Sequence, residues 1–462
     1  MIFMWYRKFM YVLLPAATLM MGCQEQNTTQ ISQNRVQNIS EAGPASSAGE
    51  AFEQRIDPVE ITEPNGVLTL RQALALTAMN NPELKAFSLE TRAAQARQLQ
   101  AGLWPNPEVD IEVENVGGTG PLSGFDAAQT TIQLSQLIEL GNKSQKREKV
   151  ASFETQLADL DYQNKRLEIF SEAAKAFVLT LKAQEKLQLS DELLDLSEKS
   201  YATVEKRVDA GKDSPVEKTR ASVALANIKI SHSKTRRNLE YARKQLASFW
   251  GQDKPLFKQA AGDLDSIKQL PPLESLIDQL KLTPQYTRWE AEIKKSQATL
   301  DLEKARAKGD ITLGAGLKRF NDVGDNTLVF GISIPLQISD RNQGAKRAAV
   351  FNLAKSKHEQ RAAWLKLQNE FNETYQEFIN SYSQATSLKT EVLPGATDMF
   401  NAATRAYREG KVDYLNVLDA QRTLFGVRNE YIESLADYHI ARTDIERLTG
   451  SQNETINIRE SE

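Results

Sequence analysis

The sequence contains itself twice, the second copy starting about 200 residues after the first, and this duplication constrains the fold more than any single motif. Asn81-Pro82-Glu83-Leu84 aligns with Thr283-Pro284-Gln285-Tyr286, and at the same offset the alternating run 109–113 falls on 311–315. Ser135, Ile138 and Leu140 fall opposite Ser333, Leu336 and Ile338; Gly211-Lys212 meets Gly410-Lys411, and Trp250-Gly251 meets Thr449-Gly450. Two similar supersecondary units in one chain stack side by side, because neither buries its apolar face alone. The pattern sets a first unit at 67–262, a second at 263–450 and a C-terminal tail at 451–462.

Each unit runs through the same order of periodicities. A helical stretch from Leu70 to about Gly102 is stopped by Trp104-Pro105-Asn106-Pro107. Strict alternation follows, with Val109, Ile111 and Val113 on one face and Asp110, Glu112 and Glu114 on the other. After the turn-rich Gly117-Gly118-Thr119-Gly120-Pro121, a second strand sets Ile132 and Leu134 against Gln133 and Ser135. The second unit repeats the hairpin with Ile311, Leu313, Ala315 and Leu317, then Leu328, Phe330, Ile332 and Ile334. Behind each hairpin lies a long helix. From about Lys143 to Asp209, Phe153, Leu157, Leu160, Leu167, Ala174, Val178 and Leu181 recur at spacings of three and four, the mark of coiled-coil packing. At about 1.5 Å per residue it would be close to 100 Å long. Residues 221–249 return as its antiparallel partner; the second unit does the same from about Asn342 to Gly410 and back through 414–448. Both helical tips then point away from the strands.

The first 23 residues read as a secretory signal: Arg7 and Lys8, an apolar run 11–21, then Gly22-Cys23. The apolar core is shorter than a membrane-spanning anchor needs. Cys23 is the one cysteine in 462 residues, which excludes a disulfide framework and a thiolate metal cluster. Its place after Gly22 resembles a bacterial lipobox, although Met20 stands where Leu is usual and Leu19 is one place early. Acylation of Cys23 is the leading reading, and an ordinary cleaved signal the other. Gln24 in place of Asp fits sorting to the outer membrane of a Gram-negative cell. Residues 24–66 are polar and low in apolar content, which suits an extended tether. With 57 basic and 61 acidic residues and no basic cluster interleaved with aromatics, nucleic acid is not an expected partner.

Strands of about nine residues, apolar on one face and polar on the other, match what crosses an outer membrane as a tilted barrel. Four strands do not close alone, and an open edge in lipid leaves unpaired backbone groups, so copies of the chain must share one barrel. Three chains give twelve strands. The competing reading is a soluble sheet under the helices, since aromatic girdles are thin, with Phe320 and Phe330 as the nearby candidates.

The order of these elements over residues 68–450 resembles the TolC-type outer-membrane factors of tripartite efflux and secretion systems. Ala101-Gly102-Leu103-Trp104-Pro105-Asn106-Pro107-Glu108, Val113-Glu114-Asn115 and Leu137-Ile138-Glu139-Leu140-Gly141-Asn142-Lys143 look like the CzcC-like branch associated with heavy-metal cation efflux. The resemblance implies a mainly α fold with a transmembrane β-barrel. It further implies a homotrimer with a twelve-stranded barrel in outer-membrane lipid and an α-helical periplasmic tunnel, docked on a periplasmic membrane-fusion adaptor and an inner-membrane pump of the resistance-nodulation-division type.

It also assigns roles to residues. Arg207-Val208-Asp209-Ala210-Gly211-Lys212-Asp213-Ser214 matches the family's Arg-Leu-x-x-Gly-x-x-Ser adaptor-contact pattern with Val for Leu, which implicates Arg207, Gly211 and Ser214. The second tip offers Tyr407, Gly410 and Asp413. Glycine permits chain reversal at a helix end, and Asp213 or Ser214 can cap the next helix. Family channels carry an Asp pair three apart after the second tip; here the positions read Asn416 and Asp419, so an acidic ring at the constriction would be Asp419 alone. Asp110, Glu112 and Glu114 would face the barrel lumen and favour cations, or serve simply as polar lining.

Catalytic readings find little support. His232, His358 and His439 lie far apart in helical segments without an acidic partner at metal-ligand spacing, and no phosphate loop, nucleophile elbow or zincin pattern occurs. No enzyme, cofactor or metal site is expected. The expected function is a passive exit duct with metal cations as favoured cargo. Organic compounds or a polypeptide secreted by a type I system are the alternatives of the same class, and a pore-less periplasmic coiled-coil adaptor the alternative from another.

Overall fold

The computed structural model describes residues 62–269 and 271–450, which belong to one unit, Ile61–Glu462. The signal, Cys23, nearly all of the expected tether and the tail 451–462 lie outside the described residues.

The chain begins with β1 (Val67–Thr69) and α1 (Leu70–Asn80), where Thr69 and Gln72 form a reciprocal capping box. The helix expected over 70–102 is two: α2 spans Pro82–Gly102, and Asn81 breaks the run by accepting from the Glu83 and Leu84 amides while Pro82 takes the first helical position. Next come β2 (Glu108–Glu114), β3 (Gln129–Ile138), and α3 (Lys143–Asp209), 67 residues without interruption. The returning helix α4 (Pro215–Ser248) starts six residues before the expected Ala221, since Ser214 caps the Val216 amide. After β4 (Gln259–Ala261) and the short α5 (Leu273–Leu280), α6 (Pro284–Arg306) leads into β5 (Ile311–Phe320) and β6 (Asn326–Ser333). The second long helix is not uniform. α7 (Gln343–Ser387) passes through a π-helical turn at Leu388–Val392 into α8 (Leu393–Arg408), and α9 (Tyr414–Thr449) closes the described chain. The widened turn has a local cause: Pro394 has no amide to donate, and its ring would collide with the carbonyl four residues back in a regular helix.

The shorter helices stack end to end into columns that run alongside α3. The Asn81 side-chain amide donates to the Phe249 carbonyl at 2.9 Å, which sets the start of α2 on the end of α4. Gly450 at the end of α9 lies beside Thr283 at the head of α6. Side by side, the order is α4/α2, then α3, then α9/α6, then α7/α8, as the helix pairings require. Duplication thus becomes a layer of four columns, two from each repeat. Inter-column ion pairs hold the repeats together: Glu433 on α9 takes both Lys182 and Lys186 of α3, and Lys175 of α3 meets Asp444 of α9 at 2.5 Å.

All four long strands join one antiparallel sheet in the order β2-β3-β5-β6, with the two hairpins fused through the β3–β5 pairing. The register stacks Val109, Leu134, Ala315 and Phe330 in one row and Ile111, Ile132, Leu317 and Leu328 in the next. Over these rows the face is apolar and open to the outside, with Phe330 76% exposed, and it turns polar in the row of Val113, Thr130, Arg319 and Asn326 at the end away from the helices. Phe320 belongs to the opposite face. It sits under the Lys318 ammonium, 5.7 Å from the ring centroid, so it is no girdle residue. The girdle-type aromatic that alternation did not reveal is Trp104, exposed just before β2.

The tightest packing lies midway along the columns. Leu68, Phe177, Leu181, Leu246, Trp250 and Phe257 form one buried cluster, and Phe371, Phe378, Tyr438, Ile445 and Leu448 a second. Strands β1 and β4 pair in parallel across it. The end of the expected tether is tied down here: the Glu63 carboxylate accepts from the Trp250 indole at 3.0 Å and from the Phe257 amide at 3.0 Å.

Candidate functional site: the helical tips and the polar face of the sheet

Each tip is a helix–turn–helix reversal in which glycine takes the left-handed conformation, Gly211 at φ 69° and Gly410 at φ 73°. The structure brings Arg207, Asp213 and Tyr407 together across the two tips. The Arg207 guanidinium grips Asp213 with two bonds of 2.9 and 3.0 Å, the Tyr407 hydroxyl donates to the same carboxylate at 2.6 Å, and the guanidinium stacks 4.7 Å from the Tyr407 ring. Asp213 therefore does not cap α4; its two oxygens are committed elsewhere, and Ser214 does the capping. Val204, Ala221, Tyr414, Val417 and Leu418 pack beneath this polar clamp.

The charges respond as the geometry dictates. Hydrogen bonding to Arg207 holds the Asp213 carboxyl below its ordinary range, while burial and the bond to Asp213 push the Tyr407 phenol well up. At the working pH the clamp is an ionised carboxylate between a cation and a neutral phenol. Gly211, Ser214, Gly410 and Asp413 stay exposed at the surface of the tips. Asp413, Asn416 and Asp419 follow one another at intervals of three along the first turns of α9, all exposed, with Val417 and Leu418 turned inward. Asn416 and Asp419 thus face solvent and take no part in the clamp.

At the other end, the polar face of the sheet carries Glu108, Asp110, Glu112 and Glu114 along β2. Two of them have partners that alternation alone did not reveal. Ser135 donates to Asp110 at 3.0 Å, and Lys318, two strands away, reaches Glu114 at 2.6 Å. Glu112 has no ion-pair partner among the described residues. Gly314, Gly316 and Gly331 line this face around Gln133, where any side chain on Gly316 would press on the β3 backbone.

Where sheet meets helices, each repeat turns through an asparagine in the left-handed conformation, Asn142 at φ 58° and Asn342 at φ 55°. Lys143, nearly buried, donates to the Lys308 carbonyl at 2.6 Å and to Asp310 at 2.7 Å. Arg147 binds Glu139 and donates to the carbonyls of Ala101 and Leu103, which seats Trp104 at the rim. The run from Glu139 to Lys143 is thus a joint between sheet and helices.

Two of the three histidines make internal contacts, and His358 is exposed. His439 is buried against the Leu264 carbonyl at 2.9 Å, and burial lowers its pKa. His232 does have an acidic partner, Asp191 on the neighbouring helix at 2.6 Å, which sequence spacing cannot reveal because 41 residues separate them. Among the described residues no group of three or more His, Cys, Asp or Glu is placed to hold a metal ion, and no helix is long and apolar enough to cross a membrane.

Comparison with known proteins agrees with this geometry. The sequence matches the outer membrane efflux protein family over residues 73–252 and 279–451. It is 35% identical over 393 residues to the cobalt-zinc-cadmium resistance protein CzcC of Cupriavidus metallidurans, covering 85% of this chain and 92% of that protein. Among solved structures, CusC superposes with a TM-score of 0.71 at 18% identity, covering 82% of this chain and 91% of that one. A membrane protein from Pseudomonas aeruginosa gives 0.73 at 17% identity, covering 82% and 92%. With both halves of the chain inside the family match, and the duplicated sheet-and-column architecture that goes with it, this chain belongs to the outer membrane efflux protein family.

Proposed function

We propose that the chain is the outer-membrane exit duct of a tripartite efflux system that carries heavy-metal cations. The observation that carries the reading is the sheet: four strands of 7, 10, 10 and 8 residues, apolar and exposed on one face, polar and acidic on the other, mounted on long helical columns. Lengths of this order span a hydrocarbon layer when tilted, and an exposed apolar face is stable there and nowhere else. The outer edges of the sheet, β2 and β6, have no further strand paired to them among the described residues, and lipid does not tolerate such edges. Three chains joined β6 to β2 make a closed twelve-stranded barrel, and the same rotation closes the columns into a tunnel. In this arrangement the tips engage a periplasmic adaptor and an inner-membrane pump, the duct itself performs no chemistry, and Cys23 anchors the N-terminus in lipid. The similarity to a cobalt-zinc-cadmium resistance protein supports divalent metal cations as cargo.

Two measurements test this reading. A host deprived of its own duct regains growth on cobalt, zinc or cadmium when this chain is expressed with its cognate pump and adaptor; unchanged sensitivity to all three sinks the metal cargo. In planar bilayers the purified protein conducts and prefers cations, and Glu112→Gln lowers that preference while Lys318→Gln raises it by releasing Glu114. If neither substitution moves the reversal potential, these carboxylates are only polar lining.

A further inference from the structure

Charge is distributed very unevenly between the two ends of the sheet. Segments 112–126 and 318–326, at the end away from the columns, hold five carboxylates and two cations. Segments 139–149, 301–310 and 340–347, at the joint with the columns, hold ten cations and six carboxylates, although the whole chain carries a net charge of −4. Four of those cations are spent on internal pairs: Lys143 with Asp310, Arg147 with Glu139, Lys304 with Asp301 and Arg306 with Glu303. The other six have no ion-pair partner among the described residues, and Lys149, Arg341 and Arg347 are exposed. Lys149 and Arg347 lie over the rings of Phe153 and Phe351 on their own helices, 4.8 and 6.0 Å from the centroids, contacts that leave their charge uncompensated by a carboxylate, and the backbone dipole disfavours cations close to its positive end. The charge excess is therefore directed outward.

The apolar surface immediately above supplies the second observation. Trp104, Ile334, Leu336 and Ile338 continue the apolar face of the sheet beyond its last hydrogen-bonded pair, with Leu336 81% and Ile338 73% exposed. Arg341 folds back under them, donating to the carbonyls of Gln337 and Ile338 at 3.3 and 3.5 Å. Lys149 and Arg347 lie within about 10 Å of their helix starts, comparable to the depth of a headgroup layer. An apolar rim with an aromatic residue, bordered on one side by cations without a carboxylate partner among the described residues, is the pattern that a leaflet of phospholipid recognises.

We propose that the joint between sheet and columns is a phospholipid-headgroup belt, in which Lys149, Arg341 and Arg347 bind lipid phosphates of the periplasmic leaflet and Trp104, Leu336 and Ile338 seat at the boundary with the acyl chains. The belt prefers anionic over zwitterionic phospholipid. This rests on the reading of the sheet as membrane-inserted, and the two are separable by experiment. The full-length protein is reconstituted in nanodiscs of equal phosphatidylglycerol and phosphatidylcholine, and the lipid it retains on release is identified by native mass spectrometry. Wild type retains phosphatidylglycerol in excess. The triple variant Lys149→Gln, Arg341→Gln, Arg347→Gln loses that excess by on the order of tenfold, while Lys149→Arg with Arg341→Lys and Arg347→Lys keeps it. Single-channel conductance in pure phosphatidylcholine is recorded for each protein as the check on insertion and folding. A conducting wild type without lipid preference, or a conducting triple variant that retains as much phosphatidylglycerol as wild type, overturns the belt and leaves the channel standing. Absence of conductance in the wild type refutes the channel reading, and the belt falls with it.

Discussion

Val223→Glu combined with Ile230→Glu gives a protein that no longer assembles and no longer conducts. Along α4, Val216, Val223 and Ile230 recur every seven residues, and all three are exposed on the edge of the column layer. On the opposite edge, Phe351, Leu365 and Ile379 repeat at intervals of fourteen, followed by Val392 and Met399. Exposed apolar residues at heptad spacing on both free edges form a coiled-coil seam that lacks its partner helix, and the partner available by rotation is the opposite edge of another copy. Each buried Val or Ile contributes about 1.5–3 kcal/mol, and a glutamate in its place adds the desolvation of a charge. With two such sites at each of three interfaces, the assembly equilibrium shifts by several orders of magnitude. Native mass spectrometry in detergent reads this as monomer where wild type is trimer. Val223→Leu with Ile230→Leu, which keeps the seam apolar, stays trimeric. A trimeric, conducting double-glutamate variant refutes the proposed closure.

Asp213→Ala loosens the tips without touching the sheet. The substitution removes two charge-assisted bonds to Arg207 and the bond from Tyr407 at once, a loss of about 2–4 kcal/mol in local stability, because the clamp is partly shielded from water. Tyr407→Phe removes one bond and costs about 1 kcal/mol. Hydrogen exchange of the amides at 204–217 and 404–418 is the measurement: protection falls by on the order of 10–1,000-fold in the first variant and a few-fold in the second, with the middle of the columns unchanged. The sign of the pH effect follows from the depressed Asp213 pKa. The clamp contributes fully above the ordinary aspartate value of 3.8 and weakens as pH falls below it, while raising pH through neutrality changes nothing. Equal protection in wild type and Asp213→Ala would show that the apolar cluster around Tyr414 and Val417 holds the tips by itself.

The sequence signalled elements through local chemistry. Alternation in 109–113 and 311–317 gave strands with the correct face outward, because side chains on a pleated strand point to opposite sides whatever surrounds them. The three-four spacing from Phe153 to Leu181 gave a helix whose ends at Lys143 and Asp209 match the structure, because a coiled-coil stripe extends as far as its packing does. Pro82 and Pro394 each alter a helix through a missing amide, an effect that apolar periodicity does not register.

Interactions between distant residues were invisible at the level of sequence. Lys318 and Glu114 are 204 positions apart, Tyr407 and Asp213 are 194, and no local pattern announces that either pair meets. Likewise, duplication told that two hairpins exist but not that they fuse through β3 and β5 into one sheet, nor that α4 stacks on α2 and α9 on α6 to make continuous columns. The sequence by itself determined the four long strands, the long helices and the tip reversals, since those follow from periodicity and side-chain chemistry. Only the tertiary structure decided which charges are neutralised, which remain free at the base of the sheet, and which apolar edges are left without a partner, because each depends on what the fold places within a few ångströms.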